Sequence, residues 1–364
     1  MTLKRTPLYE SHVAAGAKMV DFGGFEMPLK YTGETAEHMA VRSGVGVFDV
    51  SHMGEAFIEG RGALAAMQRL LTNDAAKIKD GQAMYAGLLN EQGGFVDDVV
   101  AYRFSAERFL VCLNAGNQDK DFTWMRAVIA AQAFDCTVRN EGALWSQLAV
   151  QGPKAVDVVA TLCGESVRSI EGYHFAEGSI LGSPGIIART GYTGEDGFEL
   201  YVKNEQAPAL WAAVVAAGAV PCGLACRDTL RLEAGMCLYG NDIDDDVTPL
   251  QANLGWIVKL EDRPAFIGMA ALQAQKAAGL KRVLRGLVMI ERGIARHGYD
   301  VVDDKGSKIG IVTSGTQAPF VNKPIAFAYV DKAHAEVGGT VSVLIRDKPV
   351  KATVTKLPFY KRSK

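Results

Sequence analysis

Three observations predict an α+β fold. Helical and strand patterns are mixed along the chain without the regular strand–helix alternation of a doubly wound parallel sheet. Tyr85–Leu89, Phe95–Phe104 and Arg108–Leu113 read as an antiparallel meander, with Asn90-Glu91-Gln92-Gly93-Gly94 as its first turn. From about residue 280 the texture changes to short strands joined by polar turns, which predicts a small antiparallel barrel or sandwich.

Taken in order, Glu34–Arg42 has helical periodicity and runs into the Gly44-Val45-Gly46 turn. That turn is no dinucleotide fingerprint, because its third glycine is missing and Asp49 stands where a helix would begin. Residues 55–59 read as a strand and Ala63–Leu71 as a helix. After the meander come a helix at Asp119–Gln132 and a strand at Cys136–Arg139. A strand at Trp145–Gln151 ends before Pro153, and a helix follows at Lys154–Leu162. Residues 207–226 carry no charge, yet Pro221 and the glycines interrupt them, and Leu210–Ala217 is too short to cross a bilayer. A buried helix is expected there. The last strands are Val283–Ile290, Ile309–Ser314, Ile325–Val330, Thr340–Ile345 and Val350–Lys356.

At 364 residues the chain has room for two or three domains with sizeable cores. A formal net charge of −2, with both signs interspersed, offers no basic stripe for a nucleic-acid backbone. The six cysteines are preceded by no secretory signal, so reduced thiols and a cytoplasmic location are expected. Cys222, Cys226 and Cys237 fit no common zinc spacing, and the six histidines are scattered, so no metal site is expected. Asp242-Ile243-Asp244-Asp245-Asp246 lacks the glycine of a calcium loop and is expected to be a solvated acidic loop. His52 with Asp49 and Ser51 is expected to be a packed motif at a domain junction, not a triad.

The chemistry-bearing residues concentrate in a few segments. Arg189-Thr190-Gly191-Tyr192-Thr193-Gly194-Glu195-Asp196-Gly197-Phe198-Glu199-Leu200 spaces three glycines by three before an apolar strand. Glycines so placed permit tight turns and close approach to a ligand. Phe198, Leu200 and Val202 share one strand face, which puts Glu199 and Tyr201 on the other. A carboxylate there can receive paired N–H donors from a flat heterocycle; a hairpin with a solvated glutamate fits the spacing equally. Asp97 and Asp98 interrupt an apolar strand, where carboxylates are costly to bury. Alternation groups Asp97 with Phe95 and Val99, and Asp98 with Val96, Val100 and Tyr102. Pattern alone does not choose between the two. Arg227 and Arg231 fall at i and i+4 on one helix face, suited to hold a carboxylate or to pair with Asp228 or Glu233.

Beyond these segments the chain resembles the aminomethyltransferase, or T-protein, family of the glycine cleavage system. The resemblance runs from about residue 5 to Pro358-Phe359-Tyr360. It is carried by Thr6-Pro7-Leu8-Tyr9, Gly16–Phe22, Glu26-Met27-Pro28-Leu29, Val47–Glu55, Gly93–Asp98, Gln151-Gly152-Pro153, the Arg189–Leu200 segment, Arg227-Asp228 with Arg231-Leu232-Glu233, and Thr313-Ser314-Gly315. The resemblance implies three domains around a central folate-binding hole, the first two interleaved. These are residues 1–52 with 140–230, residues 53–139 with 231–279, and a barrel of residues 280–364.

The same resemblance implies transfer of an aminomethyl group from a lipoyl thiol of the H-protein to tetrahydrofolate, with release of ammonia. It selects Asp98 as the catalytic carboxylate, acting by electrostatics and orientation. It implies that Tyr192 and Glu199 bind the folate ring, that Met53 lines the hole, for which core packing is a rival reading of a methionine, and that Arg227 holds the glutamate tail. Tyr239 and Trp256 are expected as cavity walls. Tyr85 is a pterin contact or a half-buried strand tyrosine, and Asn114 a ligand contact or a helix cap. A folate-dependent demethylase of a small methylated substrate can share such a fold and needs no H-protein. A non-catalytic folate-binding protein is a third reading, whose cysteine-containing signature is absent from this sequence.

Overall fold

The computed structural model describes residues 2–363. A three-stranded sheet of Lys4–Arg5, Phe25–Lys30 and Lys18–Phe22 opens the chain. A six-stranded sheet runs in the order Phe175–Ile180, Ser183–Ala188, Gly197–Lys203, Trp145–Gln151, Gly46–Asp49, Val220–Pro221. A five-stranded sheet runs Gln82–Leu89, Phe95–Ser105, Arg108–Leu113, Gly54–Glu59, Thr137–Asn140. In sequence, every strand of the five-stranded sheet lies between Gly46–Asp49 and Trp145–Gln151, which pair with each other in the six-stranded sheet.

The strand periodicities explain the cores. Phe198, Leu200 and Val202 face the helices Ala155–Cys163 and Ala207–Ala216 in one buried cluster with Leu148, Val150, Val159 and Leu210. Tyr201, on the opposite face, packs with Tyr102, Phe57 and Phe175 at the seam between the two large sheets. The uncharged segment supplies a helix, but one buried on a single face: Leu210, Trp211 and Val214 are buried, whereas Pro208, Ala209, Ala212 and Ala216 are exposed. Among the described residues, no helix is long and apolar enough to cross a membrane.

Several strand pairs carry register shifts, and one of them bears on the aspartates. Gly87 pairs with Asp98 and Leu88 with Asp97, but Leu89 pairs with Phe95, so Val96 is an extra residue in its strand. Such a bulge reverses side-chain parity. Val96 therefore joins Val99 and Ala101 in one core, whereas Phe95 packs elsewhere with Leu89 and Phe327. The grouping of Asp98 with Val96, and of Asp97 with Phe95, is corrected accordingly. That of Asp98 with Val100 and Tyr102 stands.

The C-terminal strands close into a six-stranded antiparallel barrel, in the order Arg282–Met289, Lys323–Asp331, Lys308–Ala318, Asp300–Val302, Thr340–Ile345, Lys348–Thr355. The sequence pattern signals five of these; the three-residue Asp300–Val302 is too short to show alternation. The barrel is joined to the rest by a buried polar clamp. Arg231 donates to Asp242 Oδ2 at 2.6 Å and to Ser314 Oγ at 2.8 Å, and Ser314 Oγ donates to Asp242 Oδ1 at 2.8 Å. Asp242 is 1% exposed, so the expectation of a solvated acidic loop holds for Asp244–Asp246 only. A second clamp pairs Arg42, on the Glu34–Ser43 helix, with Glu195 and with Glu233 at the end of the Leu224–Glu233 helix. Breaking one partner of such a pair leaves a buried charge unpaired and costs about 3–5 kcal/mol.

Candidate active site

Between the three parts lies a cavity of about 740 Å³. Met53, Tyr85, Asp98, Asn114, Tyr192, Glu199, Arg227, Tyr239 and Trp256, which the sequence reading singles out, all line it. Leu357 and Pro358 from beyond the barrel complete its wall.

Asp98 projects from the Phe95–Ser105 strand on the cavity face with Val100 and Tyr102. Tyr85 on the neighbouring strand donates its hydroxyl to Asp98 Oδ2 at 2.8 Å, and Asn114 Nδ2 donates to Asp98 Oδ1 at 3.0 Å. Asn114 makes no cap to the following helical turn; its amide serves the aspartates instead. Burial, reinforced by the negative charge of Asp97, pushes the Asp98 carboxyl up to about 7, against the pull of those two hydrogen bonds. Asp97 points the other way. It is fully buried and accepts from Asn114 N, Asn114 Nδ2 and Asn117 Nδ2 at 3.2, 2.9 and 2.8 Å. The adjacent carboxylates thus divide into one committed to the protein and one facing the cavity.

Glu199 lies on the six-stranded sheet. Gln147 Nε2 donates to its Oε1 at 2.9 Å, and Thr190 and Tyr102 donate to Oε2. Tyr102, Thr190 and Gln147 escaped the sequence reading. Tyr102 carried a signal there, sharing a strand face with Asp98, and Thr190 lies in the glycine-spaced segment. The glycines of Arg189–Leu200 act mainly within the protein. A Cβ on Gly191 or Gly197 would strike the Gln151 side chain at 2.0 and 2.5 Å, and Gly194 adopts φ +79° against Ala234. Close approach is therefore to Gln151, although Gly191 also borders the cavity.

The two arginines of the Leu224–Glu233 helix part company. Arg231 is consumed by the barrel clamp and by Asp228. Arg227 makes no ion pair among the described residues; its guanidinium lies 4.7 Å over the Tyr192 ring, at the cavity wall. Tyr192 donates its hydroxyl to the Cys237 carbonyl. Tyr239 presents its ring to the cavity, while its hydroxyl takes a bond from Lys120 Nζ at 2.7 Å. Trp256 stands at the rim, 59% exposed, 5.9 Å from the Tyr85 ring. Met53 lines the cavity and packs against two core clusters. His52 also lines the cavity, and burial pushes its imidazole down to about 4. Asp49 bonds His12, Thr6 and the Ser51 amide, so the packed-motif reading holds and no triad forms. All six cysteines are free.

The fold and site define a multidomain α+β protein with a central cavity for a small ligand and a closed barrel at its C-terminus. Residues 8–262 match the GCVT N-terminal domain, and residues 282–361 match the glycine cleavage T-protein C-terminal barrel domain. The aminomethyltransferase of Desulfitobacterium hafniense (strain DSM 10664 / DCB-2) is 49% identical over 364 residues, 99% of each chain. That of Rubrobacter xylanophilus is 48% identical, covering 100% of this chain and 96% of the relative. The crystal structure of glycine cleavage system aminomethyltransferase T from Bartonella henselae superposes with a TM-score of 0.92 at 37% identity, covering 99% and 98% of the two chains. The chain belongs to the glycine cleavage T-protein family and is a transferase of that system.

Proposed function

We propose that the chain transfers the methylene carbon of an aminomethyl-lipoyl group, carried by lipoylated H-protein, to tetrahydrofolate. Ammonia is released and dihydrolipoyl H-protein remains. The observation that carries this reading is Asp98, a cavity-facing carboxyl held between Tyr85 and Asn114. Loss of ammonia or thiol from the transferred carbon develops positive charge. A carboxylate fixed by two hydrogen bonds in a partly dry cavity stabilises that charge without reorganising. Tyr85 and Asn114 hold its oxygens in place.

The remaining wall suits a folate. Glu199, preorganised by Gln147 and Thr190, accepts paired N–H donors of a pterin. Arg227, without an acidic partner of its own, suits the carboxylates of a glutamate tail. Tyr85, Tyr192, Tyr239, Trp256 and Met53 supply apolar contact, and Asn114 joins the ligand site through Asp98. We also propose the three-domain division described from the sequence. Its support is the insertion of the five-stranded sheet between strands of the six-stranded one.

The test is ammonia release from purified aminomethylated H-protein with and without tetrahydrofolate. Folate-dependent release is expected. Folate binding without ammonia release would overturn the proposal in favour of a demethylase or a folate-binding role.

A further inference from the structure

Behind Asp98 lies a buried carboxyl that the transfer chemistry does not use. Asp121, in the first turns of the Gln118–Ala131 helix, is fully buried, and neither of its oxygens receives an N–H or O–H donor. It takes none of the free N–H groups at its helix N-terminus. Lys120 beside it turns away, donating to the Val96 carbonyl at 2.6 Å and the Tyr239 hydroxyl at 2.7 Å. The polar group within its hydrogen-bonding range is the carboxyl of Asp97. Two carboxyl groups in contact, shielded from water, cannot both be anions; one proton must lie between them. Asp97 already accepts three N–H bonds from Asn114 and Asn117, as an ionised carboxylate does, which leaves the proton on Asp121.

We propose that Asp121 is a positioning residue, held as a carboxylic acid whose O–H donates to Asp97. Asp97 so fixed anchors Asn114, whose amide reaches Asp98 Oδ1. A chain of hydrogen bonds thus runs from the helix, through the back of the strand, to the cavity carboxyl. Burial, with the Asp97 charge adding to it, holds the Asp121 proton up to about 11. The titratable groups facing this relay are few. Asp121 meets Asp97 and Asp98 from the strand, Lys120 from its own helix and Tyr239 from the segment after the Leu224–Glu233 helix. Asp98 meets Asp97 and Tyr85, with Tyr192 and Cys237 across the cavity. The role in transfer rests on the reading of Asp98 given above; the charge state of Asp121 does not.

The test therefore uses the substrate-free chain. Infrared difference spectra of native protein, Asp121→Asn and Asp121→Leu are recorded from pH 5 to 9, with Asp carboxyls labelled with ¹³C. At pH 9 the native chain is expected to keep one protonated Asp band, absent from both variants. Buried Glu55, whose carboxyl burial pushes well above the usual carboxylate range, is unlabelled and does not interfere. Asp121→Asn retains a donor to Asp97, so the Asp98 transition stays within about 0.3 pH unit of native. Asp121→Leu removes the donor that fixes Asp97 and, through it, Asn114, so the Asp98 transition moves by about one pH unit. A pH 9 band missing from the native chain, or one that persists in Asp121→Asn, overturns the proposal, and this readout stands even if Asp121→Leu fails to fold. An Asp98 transition unmoved in folded Asp121→Leu overturns the positioning role. Absence of ammonia release by the native chain bears on the transferase reading alone.

Discussion

The two walls of the cavity each present a carboxylate, and they treat it oppositely. On the six-stranded sheet, Glu199 is met by Gln147, Thr190 and Tyr102, donors enough to fix both its oxygens. On the five-stranded sheet, Asp98 has two donors, and the Asp97 carboxylate stands beside it and opposes its charge. A carboxylate with many donors is a recognition element: its geometry is always set. One short of donors and beside a like charge gains most when positive charge appears in front of it. That difference separates binding from chemistry in one cavity, and it can be broken from either side.

The largest effect is expected at Asp98→Asn. Ammonia release should fall by about 10²–10³-fold, with folate affinity within about threefold of native, because only the developing charge loses its partner. Equal losses in affinity and turnover would erase the distinction between the walls. Glu199→Gln is the complementary change. Calorimetric folate affinity should weaken by about 1.5–3 kcal/mol, with turnover at saturating folate nearly preserved.

The pH dependence sharpens the same contrast. If the ionised form of Asp98 is the active one, kcat/KM rises with pH through about 7 and levels above it. It should be roughly tenfold lower at pH 6 than on the plateau. In Glu199→Gln the inflection should stay where it is. The smallest effect is on stability. The folded chain holds the Asp98 proton to about 7, against an ordinary value of 3.8. Between those limits the folded state binds more protons than the unfolded, so stability falls as pH rises through that window. Asp98→Asn removes the liability and should raise Tm by about 2–4 °C at pH 8, with no gain below pH 4. Thermal melts at both pH values check this.

Local periodicity carried much of the fold. Trp145–Gln151 and Thr340–Ile345 are read from the sequence with the observed bounds, because alternation runs through them unbroken. The opposite faces of Phe198 and Glu199 follow from the same rule. Where a bulge intervenes, at Val96, parity misassigns the neighbours of the aspartates, and no residue type there announces the extra position. Arg227 and Arg231 show the limit in another form. One helix face holds both, yet Asp242 and Ser314 from distant segments claim the second and leave the first at the cavity. Asp121 gave no sequence signal, because its partner lies on another element.

By itself the sequence determined the α+β class, the antiparallel C-terminal strands, the strand face of Glu199 and, through resemblance, the residues gathered at the cavity. Only the tertiary structure decided which carboxyl is saturated and which is starved of donors, which arginine is spent on the barrel clamp, and where a proton is stored behind Asp98. Secondary structure follows from neighbours along the chain. Desolvation and charge pairing follow from neighbours in space, and they set the chemistry.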